Sequence, residues 1–374
     1  MNLQQEFPLK HDLIYLNHAA VAPWPERTYQ AVKQFAEENK ILGSMNYPAW
    51  LEVESQLRNQ IKKLINAPSS HDIALLKNTS EALSVVAYGL DWRAGDNVVI
   101  SNEEFPSNRI VWESLRTQGV EVRQANLKKP DNTPEESLIQ LCDNNTRLLS
   151  VSSVQYASGF RLDLETLGKH CRDNGVLFCV DAIQSVGAVV FDVQKNHIDF
   201  AMADGHKWML GPEGLAFFFS RPEAREKLKL TQYGWHMVEH SSDFDRTDWS
   251  IASDSRRFEC GSPNMLGIHA LNASLSLLLE IGMEVVETKI RQHTAQIVDY
   301  LHDQKHTTLI SNTELNRRAG IVTFEHDTLS TESLYKHLAN NNVMCAMRGG
   351  GVRFSPHFYT PSEKIHKALE LIPK

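Results

Sequence analysis

The sequence predicts an α/β protein of two domains, a larger one with a mainly parallel sheet between helices and a smaller α+β one. Three observations carry that prediction. The chain has 374 residues, more than the roughly 100 to 200 that one domain usually takes. From about residue 73 to residue 219, short β-branched or apolar runs alternate with longer amphipathic stretches, the rhythm of parallel strands joined by crossover helices. Near Gly261 the texture changes to a long helical pattern followed by short mixed elements.

Taken in order, strands are expected at 96–100, 148–152, 176–180, 200–203 and 215–219, each a short apolar run. Helices are expected between them at 107–118 and 164–174, with Gly175 supplying the stop of the second. A long helix should start around Asn264, run through ALNASLSLLLEIGM and continue into VVETKIRQHTAQIVDYLHDQ. A strand at 321–324, a helix over SLYKHLANNN, a strand at 352–355 and a final helix over PSEKIHKALELI complete the chain. The expected division is a large domain over 17–262 and a small one formed by 1–16 with 263–374.

The bulk numbers exclude several classes. A 42% hydrophobic and 22% charged composition fits a soluble globular protein, not a disordered or fibrous chain. A net charge of -8 gives no general reason to bind nucleic acid or an anionic membrane, and neither partner is expected. Five widely spaced cysteines with no CxxC pair read as reduced thiols, and no metal site is expected. MNLQQEFPLKHDL has neither the apolar region of a signal peptide nor the Arg-rich character of a transit peptide, and no run approaches the ~18 apolar residues that span a bilayer. The cytoplasm is the expected location.

The stretch with most chemistry is VLFCVDAIQSVG followed by DFAMADGHKWMLGPEG. Asp181 ends one buried strand and Lys207 follows the next, so both should reach the crevice outside the carboxyl ends of the sheet, where open α/β folds bind ligands. Pyridoxal phosphate (PLP) chemistry uses such a pair. A lysine amine condenses with the cofactor aldehyde, and a carboxylate keeps the pyridine nitrogen protonated so that the ring accepts electrons. Once freed by substrate, the same amine can move a Cα proton if its surroundings lower its pKa. In LLKNTSEALSVVAYGL, Thr79 and Ser80 stand just before an apolar helical run, offering hydroxyls and a helix N-terminus to a phosphate.

On these residues the chain resembles the class V aminotransferase family of fold-type I PLP enzymes, which includes cysteine desulfurases and isopenicillin N epimerase-like proteins. The resemblance runs through YLNHAAVAP at 15–23, NTSEAL at 78–83, EFPSN at 104–108, VDAIQSVG at 180–187, GHKWMLGP at 205–212, GSPN at 261–264 and VRFSPHFYT at 352–360. It implies that Asp181 pairs with the pyridine nitrogen, Gln184 bonds the ring hydroxyl, Lys207 forms the Schiff base, and Phe105 stacks on the ring. It implies that Thr79, Ser80 and His206 hold the phosphate and that Ser262 reaches the phosphate of a neighbouring subunit, so that a homodimer shares its active sites. Arg353 matches the arginine that grips the substrate α-carboxylate with its planar fork. His18 and Gln155 fall where relatives contact substrate, as do Tyr156 and His236.

The sequence departs from the desulfurase pattern at three places. Phe105 stands where desulfurases usually have a histidine, keeping a flat apolar face and losing proton chemistry. The reactive cysteine loop is missing, and its nearest substitute, Cys345, lies in a short strand-like run, NNVMCAMRGGG. Asp204 stands where many relatives have a serine or threonine near the phosphate; a carboxylate there must turn away, be protonated or be bridged through His206. The expected function is therefore a PLP-dependent enzyme acting on an amino acid, of class V aminotransferase type, with a β-eliminating C–S lyase, a desulfurase or an epimerase as alternatives in the family. A non-catalytic PLP-fold scaffold is the alternative outside it. A nicotinamide dehydrogenase is set aside because no GxGxxG turn joins a strand to a helix.

Overall fold

The computed structural model describes residues 3–128 and 132–374. Its largest sheet has seven strands, in the spatial order Ile73–Leu76, Ala216–Ser220, Phe200–Asp204, Leu177–Asp181, Thr146–Ser152, Asn97–Ser101 and Glu121–Ala125. Only Ala216–Ser220 runs against its neighbours. The central strands are buried along their whole length, and Phe178, Val180, Phe200 and Phe218 fill both faces with apolar volume. Such two-sided burial is why these strands read as unbroken apolar runs. All five expected strands are present within one or two residues of their expected ends.

Crossover helices cover the sheet. Leu164–Asn174 spans the expected residues; Asp163 caps it by accepting from Glu165 N and Thr166 N, and Gly175 ends it at φ 68°. The helix expected at 107–118 is α-helical only over Ser107–Glu113 and tightens to a 3-10 turn over Ser114–Gln118.

The long helix expected beyond Asn264 is two helices, Met265–Ile281 and Met283–His302, which meet at 84°. Gly282, at φ 86°, breaks them in a conformation that disfavours any other residue. Met265–Ile281 packs against Glu26–Leu42 and Tyr47–Leu64, and its Ile268, Leu271 and Leu275 belong to the core of the large sheet. The apolar packing thus changes partners inside Met283–His302, later than residue 263. A separate core begins at Ile297 and gathers Ile14, Leu16, Phe324, Leu334, Phe354, Ile365 and Leu369.

That smaller core lies under an antiparallel sheet ordered Ala346–Arg348, Gly351–Phe354, Val322–His326 and Thr307–Leu309. Gly349 and Gly350, both at positive φ, make the two-residue hairpin between its first two strands. The chain's beginning joins this domain through Ile14–Tyr15, which pairs in parallel with Val343–Met344.

Candidate active site

The site forms where the carboxyl ends of the central strands meet the hairpin of the small domain. Asp181 is the last residue of its strand, with Ser152 and Met202 as its registered neighbours. Asp204 ends the adjacent strand, and Lys207 follows in a loop closed by a Gly211 N–H donating to Gly205 O at 2.8 Å. Sequence spacing thus becomes proximity through the parallel register. Gly187 makes the fit possible: at φ 92° it passes so close to the loop that a Cβ would stand 2.3 Å from Trp208 O.

Burial sets the electrostatics. Asp181 is 2% exposed, and desolvation raises its pKa to about 6, opposed by the Ile183 N–H it accepts and by Lys207. Desolvation pushes Lys207 down to about 8, with Asp181 acting against that fall and Arg353 adding to it. Lys207 Nζ lies 5.7 Å from the centroid of the Phe105 ring. That ring is 40% exposed and meets Tyr156 edge-on at 5.1 Å, leaving a face open to the site.

At one end, Thr79 and Ser80 form the first turn of the helix Thr79–Gly89 instead of preceding it; Asn78 is the cap, accepting from Glu81 N at 2.9 Å. Their backbone N–H groups are therefore among those a helix leaves unsatisfied. Thr79 Oγ1 accepts from Asp204 N at 3.1 Å, and Ser80 Oγ donates to Ser107 Oγ at 2.8 Å. His206 Nδ1 stands 2.9 Å from Asp204 Oδ1, so the acid that looked out of place beside a phosphate has an imidazole against it.

On the opposite side Arg353 comes from the middle of the small sheet. It is 2% exposed, donates from Nη1 to Tyr156 O at 2.7 Å, and is lowered to about 10 by burial and by Arg348. Gln155 is buried, with Nε2 shared among Ser101 Oγ, Glu104 Oε1 and Ser152 O.

Three more of the expected residues have distinct surroundings. Both ring nitrogens of His18 are engaged, with Ser355 O at 2.9 Å and Tyr359 OH at 2.6 Å, and burial lowers it to about 4. It is a neutral, packed ring. Gln184 accepts from Trp208 Nε1 and donates to Ala19 O, which leaves one amide hydrogen for a ligand. Ser262 is exposed and lines a surface cleft with Lys77 and Glu81. Sequence reasoning missed Glu104, a buried acid that accepts from Ser101, Asn108, Ser152 and Gln155. Its only sequence signal was its place in EFPSN, since nothing in the polar run NEEFPSN marks burial.

The chemistry of these residues suits an anionic ligand with a planar ring, as PLP is. Gln155 Oε1, Asp204 Oδ1, His206 Nδ1 and Arg353 Nε are buried with no aligned hydrogen-bond partner among the described residues. Asp204 Oδ1 and His206 Nδ1 face each other at 2.9 Å, whereas Gln155 Oε1 and Arg353 Nε have no such neighbour among the described residues, and buried polar atoms are rarely left so, which suits a site completed by a ligand.

Comparison with known proteins agrees. A probable cysteine desulfurase of Methanothermobacter thermautotrophicus is 30% identical over 97% of this chain and 95% of its own. The apo structure of a cysteine desulfurase from Thermococcus onnurineus superposes with a TM-score of 0.88 at 24% identity, covering 99% of this chain and 97% of that one. The cystine C–S lyase C-DES, solved with its product cysteine persulfide, gives a TM-score of 0.90 at 22% identity, covering 98% of each chain. The aminotransferase class-V family profile matches residues 14–367, and with the carboxylate, lysine and arginine arranged as described, the chain belongs to that family of PLP-dependent enzymes.

Proposed function

We propose that this enzyme is an amino-acid C–S lyase that cleaves its substrate by β-elimination without a cysteine of its own. The observation that carries the choice within the family is Cys345. It is the cysteine nearest in sequence to Arg353, it is 2% exposed, and burial raises its thiol to about 12. A thiol held in that way is a poor acceptor for sulfur. Phe105 points the same way, offering a face and no proton. The relatives' substrates, cysteine for the desulfurases and cystine for C-DES, support a sulfur-bearing amino acid. Transamination is the second reading, favoured by the family profile alone.

PLP, when bound, supplies the electron sink that makes a substrate Cα proton removable. Asp181 would pair with the ring nitrogen and Gln184 with the ring hydroxyl, Phe105 would cover the ring, and Thr79, Ser80 and His206 would hold the phosphate. Arg353 forks the substrate α-carboxylate and fixes which Cα bond is aligned. Lys207 takes the Cα proton with an amine that burial keeps partly free near neutral pH. Ser262, exposed here, supports a homodimer in which it reaches a second copy's phosphate site. No single helix among the described residues is long and apolar enough to cross a membrane, and the cytoplasm is the proposed location. We place the large domain at 17–262, and assign 1–16 and 263–374 to the small one, with Met265–Ile281 as its contact with the large core.

The test is the visible spectrum of the protein with PLP, followed by addition of cysteine, cystine and other amino acids, with Lys207→Ala as control. A band that needs Lys207, with pyruvate and sulfide or persulfide released in a Cys345→Ala variant, is expected. A band with no released sulfur, and a keto acid that retains the substrate's side chain in place of pyruvate, would establish transamination; no Lys207-dependent band would refute the reading.

A further inference from the structure

Glu104 lies beside the site, yet none of the cofactor or substrate roles proposed above falls to it. It is 6% exposed. Its carboxylate accepts from Ser101 Oγ at 2.7 Å, Asn108 Nδ2 at 2.8 Å, Ser152 N at 2.9 Å, Ser152 Oγ at 2.6 Å and Gln155 Nε2 at 3.3 Å. Those donors come from separate pieces of chain: the end of the strand Asn97–Ser101, the helix Ser107–Glu113, the end of the strand Thr146–Ser152, and the turn after it. Asn108 extends the network by accepting from Trp112 Nε1 and Ser150 Oγ.

The two turns tied in this way carry different parts of the site. Phe105 follows Glu104 directly, so the bonds that fix the carboxylate also fix the base of the ring facing Lys207. Tyr156 follows Gln155, and it presents the carbonyl that receives Arg353 Nη1 at 2.7 Å together with the ring that meets Phe105 edge-on. A carboxylate with two oxygens can accept from several directions at once, which a hydroxyl or amide of similar size cannot. Charge-assisted bonds of this kind are also the stronger ones.

We propose that Glu104 is a positioning residue that locks the turn bearing Phe105 to the turn bearing Gln155 and Tyr156, and so sets the distance between the cofactor-stacking ring and the carboxylate-gripping Arg353. The inference rests on the reading of Phe105 and Arg353 given above. It predicts that one buried group, touching neither cofactor nor substrate, controls the affinity for both.

The test compares Glu104→Ala and Glu104→Gln. PLP affinity is read from quenching of tryptophan fluorescence, Trp208 being next to Lys207, and KM and kcat are measured with the amino acid that most perturbs the visible band. Glu104→Ala should weaken PLP binding and raise KM, each about tenfold or more, the scale of a lost buried charged hydrogen bond, with a smaller change in kcat. Glu104→Gln keeps the volume and one acceptor for Ser152 N but turns an amide NH2 toward the remaining donors, and should recover only part of the loss. A Glu104→Ala protein with a lowered melting temperature but unchanged PLP affinity and KM would show a purely structural acid and overturn the proposal. So would a Gln variant no better than the Ala variant. Should Glu104→Ala fail to fold, Ser152→Ala removes one donor to the same carboxylate and should raise KM in the same direction; an unchanged KM would overturn the proposal. A wild-type protein without a Lys207-dependent band would instead refute the proposed function, so the two failures are distinct.

Discussion

Replacing Asp181 by Asn should stabilise the cofactor-free protein while abolishing its hold on PLP. Burial raises the Asp181 carboxyl from 3.8 to about 6. Because the folded value lies above the unfolded one, the native state keeps a proton between about pH 4 and pH 6 that the unfolded chain has released, and stability falls as pH rises through that window. Above pH 6 the full penalty is present; at about 1.4 kcal/mol per tenfold change in proton affinity it amounts to up to about 3 kcal/mol. Asparagine removes the buried charge and retains an oxygen for the Ile183 N–H, which Asp181 accepts at 3.0 Å. Urea unfolding of the apo variant at pH 7.5 should therefore give the higher midpoint, and the gain should shrink below pH 6 and vanish near pH 4. Saturating PLP should reverse the order, because only the wild type has a carboxylate for the ring nitrogen. An apo variant less stable than wild type at pH 7.5, or a gain equal at both pH values, would refute the idea that burial strains this carboxylate.

Arg353→Lys should raise KM for an α-carboxylate substrate by about tenfold to a hundredfold, since an ammonium cannot reproduce the fork, while PLP affinity measured by fluorescence stays close to wild type. Cys345→Ala should leave turnover and sulfur release unchanged at a stability cost of about 1 kcal/mol; loss of sulfur release, seen by methylene-blue assay, would restore the desulfurase reading. Gly187→Ala should cost about 2 kcal/mol or more in thermal unfolding and weaken PLP binding, because its Cβ would collide with Trp208 O beside Lys207 at a backbone angle that disfavours alanine.

The parts of this fold that the sequence announces are those in which burial is two-sided. Leu177–Asp181 and Phe200–Asp204 are apolar up to their terminal aspartates, so their carboxyl ends could be located and Asp181 and Lys207 placed at one edge. The edge strand Glu121–Ala125 reads EVRQA and is mostly accessible, so no apolar run betrays it. The bend at Gly282 was hidden for the opposite reason: the segments on both sides keep a helical pattern, and only the backbone angle of one glycine separates them. Glu104 was illegible because its burial comes from tertiary donors on separate elements, and a carboxylate in a polar run looks solvated until those donors are assembled around it. His18 shows the converse, since a histidine in a recognisable motif proved to have both nitrogens committed to the protein.

Arg353 has a second consequence for the chemistry. Burial is the main cause that lowers Lys207 to about 8, and the positive charge of Arg353 adds to it, so that near pH 7 about a tenth of the amine is free, against roughly three molecules in ten thousand for a solvated lysine. A substrate carboxylate bound in the fork would neutralise that charge and raise the proton affinity of Lys207 at the moment when the substrate Cα is in place. Burial would thus supply most of the free amine, and the guanidinium, first uncompensated and then paired, would adjust its basicity between the empty and the substrate-bound site. Lysine at position 353 would keep the charge and lose the fork. It would therefore preserve the lowered pKa of the empty site while failing to hold the carboxylate that reverses it, which is why the defect of that variant should appear in KM before it appears in cofactor binding.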